Sequence, residues 1–145
     1  MTIKQVTLST LGSSSTEEVV AWIVHNLIVQ NQQSLDEDGR CKYRGPNGLK
    51  CAAGWLLTDS EYIQLDHNNE GCLEGTDWES ATEYDPTYSH LIRSLQLFHD
   101  DSFLPNLTAD KLHSYLSDYL KKVCVVPNLM DIITNAIAVR DGTSQ

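Results

Sequence analysis

Cys51 begins the small-residue run Cys51-Ala52-Ala53-Gly54, and His99 is followed directly by Asp100. These are the residue types of thiol catalysis. A cysteine at a helix N-terminus has a lowered pKa and becomes nucleophilic. A histidine beside a carboxylate is a base held in orientation. The same residues have plainer uses, Cys51 as a small buried hydrophobe and His99 as a helix C-terminal residue favoured by the dipole. Nothing in the sequence brings Cys51 near His99. The trio Cys51, His99 and Asp100 therefore stands as the alternative reading, a small ligand-binding protein or enzyme, and no catalytic residue is assigned.

Two metal sites come up for test. Cys41, Cys51 and Cys72 with His67 have the donor types of tetrahedral zinc, but no C-x-x-C pair exists and Cys72 stands five positions after His67, wider than is common. Asp66-x-Asn68-x-Glu70-Gly71, with Glu74 and Asp77 further on, imitates the start of a calcium loop. Its fifth place prefers Asp or Asn, and its twelfth needs a bidentate Glu that Asp77 does not supply. Neither metal nor cofactor is expected.

These residues depend on Cys41–Asp59, CKYRGPNGLKCAAGWLLTD. Gly45-Pro46-Asn47-Gly48 is turn chemistry, since proline presets φ and Asn or Gly tolerates the positive φ of a tight turn. Its short flanks predict a hairpin, Cys41–Arg44 against Leu49–Cys51, which is marginal alone and must lean on helices. Cys51–Leu57 then reads as a short buried helix whose small first turn lets another backbone approach. Arg44 has a planar fork that Asp59, Asp100 or Asp101 could receive, and it is expected to tie the hairpin to the helix ending at His99. Structural roles are assigned to Cys41, Arg44, Gly45, Gly48, Cys51, Gly54 and Asp59.

The pattern C-x-Y-R-G-x-x-G-x-K-C-A-x-G over Cys41–Gly54 is followed by Leu56-x-x-Asp59 and Tyr62. Downstream come a Glu-Gly pair, Glu70-Gly71 or Glu74-Gly75, and L-Q-x-x-H-D at Leu95–Asp100. Together these resemble a family of small uncharacterised proteins of bacteriophages, prophages and bacterial genomes, over roughly residues 16 to 125. The resemblance implies a mostly helical single domain with a small hairpin, and it brings no established activity. The N-terminal segment and the apolar C-terminus depart from the family pattern.

A chain of 145 residues, 41% apolar and 21% charged, suits one soluble domain. No apolar run approaches a membrane span, and no basic-then-apolar leader is present, so a cytoplasmic protein with reduced thiols is expected, in the host cytoplasm if phage-encoded. The formal charge is −10, and there is no Lys or Arg from Cys51 through Ile92. That stretch includes nine carboxylates, from Asp59 to Asp85. Direct nucleic-acid binding is disfavoured, because phosphate neutralisation needs clustered cations. Asp77, Trp78, Glu79, Glu83, Tyr84 and Asp85 instead form an acidic stretch with aromatic anchors, suited to a basic surface on a host protein.

The elements expected to position these residues form an α+β, mainly helical domain over 1–145. Four main helices and the short buried one pack around the hairpin, with a third strand admitted at Thr2–Thr10. The helices run from a Ser15/Glu18 capping box to about Gln33, over Thr87–His99, from a Thr108 N-cap to about Val123, and over Asn128–Val139. Residues 1–14 are strand and linker, and 140–145 a flexible tail. The last helix is apolar over more than half its circumference, so it is either deeply buried or a homodimer contact.

Overall fold

A computed structural model of the chain describes residues 3–35, 43–68 and 86–142, with side chains throughout except at 46, 65–68 and 86–87. Five α-helices lie in these segments: α1 (Thr16–Gln30), α2 (Asp59–Asn68), α3 (Pro86–Asp101), α4 (Ala109–Leu120) and α5 (Leu129–Arg140). Short 3-10 turns occupy Leu8–Ser13, Pro46–Gly48 and Ala53–Leu56. None of the helices among the described residues is long and apolar enough to cross a membrane.

Helix α1 starts where Ser15 accepts from the Glu18 N–H and Glu18 returns a bond to the Ser15 N–H, at 3.1 and 2.8 Å. This reciprocal box satisfies donors that a helix start leaves free. The helix stops at Asn31, which turns left-handed at φ 60. Asn31 then exchanges amide bonds with Asn106, itself at φ 64, and so fastens the end of α1 to the loop after α3. Val20, Ile23, Val24 and Leu27 are wholly buried, chiefly against α5, whose Ile132, Ile133 and Ala136 are equally buried. Each such aliphatic side chain contributes roughly 1.5–3 kcal/mol by leaving water. Leu129, Ile132, Ile133 and Ala136 of α5 are thus used inside the chain, where α5 packs on α1 and α4, while Val139 stays exposed.

Helix α3 packs on α4, which packs on α5. Phe98 at their junction meets Phe103 at 5.7 Å and Tyr119 at 6.1 Å, centroid to centroid. Thr108 caps α4 by accepting from the Lys111 N–H.

The expected α+β class is overturned, because the described residues contain no sheet and no hairpin. The turn is present: the Gly45 N–H donates to the Leu49 carbonyl at 2.7 Å, with Asn47 and Gly48 at φ 59 and 78. Among the described residues no strand continues beyond it, and on the Leu49–Lys50 side the backbone groups a strand partner would take are held by side chains. Gln30 of α1 accepts from the Lys50 N–H and donates to the Lys50 carbonyl, both at 2.8 Å, and Ser34 donates its hydroxyl to the Leu49 carbonyl. Cys41, the far end of the expected hairpin, lies outside the described residues. The N-terminal strand is also absent among them. Val6 and Leu11 are both buried, and the Thr7 N–H bonds to the Thr10 hydroxyl as the chain enters the Leu8–Ser13 turn. The short buried helix is a single 3-10 turn, Ala53–Leu56. The stretch Glu61–Leu65 belongs to a longer helix, α2, begun by a reciprocal Thr58–Glu61 box at 2.9 and 3.2 Å.

Candidate functional site

Cys51, Ala52 and Ala53 are fully buried. The Cys51 sulfur accepts from the Gly54 N–H at 3.3 Å, and its carbonyl accepts from the Trp55 N–H at 3.1 Å. Gly54 lies so close to Tyr43 that an added Cβ would stand 2.2 Å from the Tyr43 carbonyl oxygen. That close approach of two backbones is the reason for glycine here. Gly45 abuts Ser34, whose hydroxyl would lie 2.4 Å from an added Cβ.

The downstream motif closes on the same knot from α3. Gln96, His99 and Asp100 are three and four residues apart, which places them on one helix face. The Gln96 carbonyl oxygen accepts from the Ala53 N–H at 3.1 Å, and its amide nitrogen donates to Asp100 at 2.9 Å. His99 is fully buried. Its Nε2 accepts from the Ser34 N–H at 3.0 Å, so Nδ1 bears the proton and donates to the Asp100 carboxylate at 2.8 Å. The imidazole stacks on Phe103 at 6.4 Å. Gln33 adds bonds to the carbonyls of His99 and Asp100. Both ring nitrogens of His99 are therefore occupied in joining α3 to the chain after α1. An imidazole so placed is a clamp, with no lone pair turned toward solvent.

Trp22 of α1 completes the unit. Its indole donates to the Trp55 carbonyl at 2.7 Å, and the two indoles meet edge to face at 6.4 Å.

Arg44 was expected to reach the helix ending at His99. It reaches the start of α2 instead. Its guanidinium donates to Asp59 at 2.6 Å and to the Leu57 carbonyl at 2.8 Å, and lies 5.2 Å from the centre of the Tyr62 ring. Asp100 is instead bonded to His99 and Gln96. Lys50 extends over the Trp55 ring, 4.5 Å from its centre. Burial, and next the neighbouring Arg44 charge, push the Lys50 pKa down, with Asp59 opposing.

The structure thus brings Arg44, Gly45, Gly48, Cys51, Gly54 and Asp59 into one neighbourhood, and fastens His99 and Asp100 to its inner side. The clamping roles of Gln30, Gln33, Gln96 and Trp22 were not foreseen. For Gln96 a signal existed, its shared helix face with His99 and Asp100. The glutamines at the end of α1 gave none.

Asp77, Trp78, Glu79, Glu83, Tyr84 and Asp85 lie outside the described residues, as do Cys41, Cys72 and the side chain of His67. No group of three or more metal-binding side chains occurs among the described residues. Residues 66–68, the opening of the calcium-like loop, are the last turn of α2, so their backbone is helical rather than wrapped around an ion.

No family model matches the chain, and neither a curated protein nor a solved structure matches it.

Proposed function

We propose that this chain is a non-enzymatic interaction protein that binds a basic surface on a host macromolecule and modulates it, in host takeover or anti-defence. That setting follows the resemblance to phage, prophage and bacterial proteins, and the place of action is the host cytoplasm. One observation carries the reading. The residues best suited to chemistry, Cys51 and His99, are wholly buried, and their hydrogen-bonding atoms are committed to holding the turn against α1 and α3. A nucleophile and a base need an open path to substrate, and neither has one.

Charge supports the second half of the reading. A net −10, with a run from Cys51 through Ile92 free of Lys and Arg, generates a field that draws cationic surfaces. Trp78 and Tyr84 within that run are aromatic anchors of the type that dominate interfaces. In a pull-down from host lysate, the wild-type chain is expected to retain a partner at low salt and release it as salt screens the contact. The triple reversal Asp77→Lys, Glu79→Lys, Glu83→Lys is expected to lower retention at least tenfold while the chain stays folded. Undiminished retention by that variant, or retention indifferent to salt, overturns the assignment of the acidic run.

A further inference from the structure

We draw no further inference here: the strongest candidate, the cavity of about 480 Å³ between the N-terminal segment and the starts of α1 and α5, lined among others by Lys4, Ser15, Glu18, Asn128 and Ile132, carries nothing, because Lys4 and Glu18 are paired with each other at 3.5 Å and the unpartnered Asn128 side-chain oxygen is shut off from solvent rather than open to a ligand.

Discussion

Replacing Gly54 with alanine is expected to destabilise the chain by about 3 kcal/mol and to lower its melting temperature by roughly 10 °C. The new Cβ would lie 2.2 Å from the Tyr43 carbonyl oxygen, with the carbonyl carbon at 3.0 Å and the Tyr43 Cα at 3.2 Å. All three are backbone atoms, so no side-chain rotation relieves the overlap. Tyr43 is fully buried, and the chain just after it is fixed by Arg44 on Leu57 and Asp59 and by Gly45 on Leu49. Separating the backbones would pull on each of those bonds. Gly12→Ala is the matched control, because its Cβ would meet nothing within 4 Å, and its effect should stay within about 0.5 kcal/mol. Thermal unfolding of the two variants side by side decides the matter; equal melting temperatures would mean that the Tyr43–Gly54 approach does not hold the turn.

His99→Phe is expected to have a comparable cost, about 3 kcal/mol, read by urea unfolding. Phenylalanine keeps a flat ring beside Phe103, so little packing is lost. What disappears is polar. The Ser34 N–H loses its Nε2 acceptor in a fully buried position, at about 1–3 kcal/mol, and the Asp100 carboxylate loses a donor, which costs more for a charged group. Gln96 still donates to Asp100, so the effects of Gln96→Ala and His99→Phe should not add, the two residues sharing one carboxylate. A histidine acting as a solvent-facing base would behave differently, and its loss would leave the unfolding midpoint nearly unmoved.

Legibility in the sequence followed the range of the interactions. Helices α1, α3, α4 and α5 could be read because their apolar spacing and caps are local. Ser15 with Glu18, and Thr108, mark their helix starts within four residues. The turn at Gly45–Leu49 was equally local. The hairpin was not, because its existence depended on what would satisfy the Lys50 backbone. The answer, Gln30, is twenty residues away on a helix end and carries no periodic signature. The destination of Arg44 was missed for a related reason. Asp59, Asp100 and Asp101 are equivalent in sequence; in space Asp59 meets the Arg44 guanidinium, while Asp100 is bonded to His99 and Gln96. At the N-terminus, Val6 and Leu8 suggest alternation, yet Val6 and Leu11 are the fully buried residues, and the chain turns between them.

The two motifs therefore meet as one structural device. Cys51–Gly54 supplies a backbone that can be approached closely, Gln96 and His99 grip it and the chain after α1 from α3, and Gln30 and Trp22 grip it from α1. Such a device explains particular residue types at particular spacings without a reaction.

Thiol labelling of the native chain tests this most directly. The protein is exposed to an alkylating reagent and the modified cysteines are located by peptide mass spectrometry over time. With its sulfur fully buried and bonded to the Gly54 N–H, Cys51 is expected to react only as fast as the whole chain unfolds, and to become reactive at once in urea. Alkylation of Cys51 in the folded protein at the rate of an exposed thiol would contradict the account and return Cys51 to the list of reactive groups.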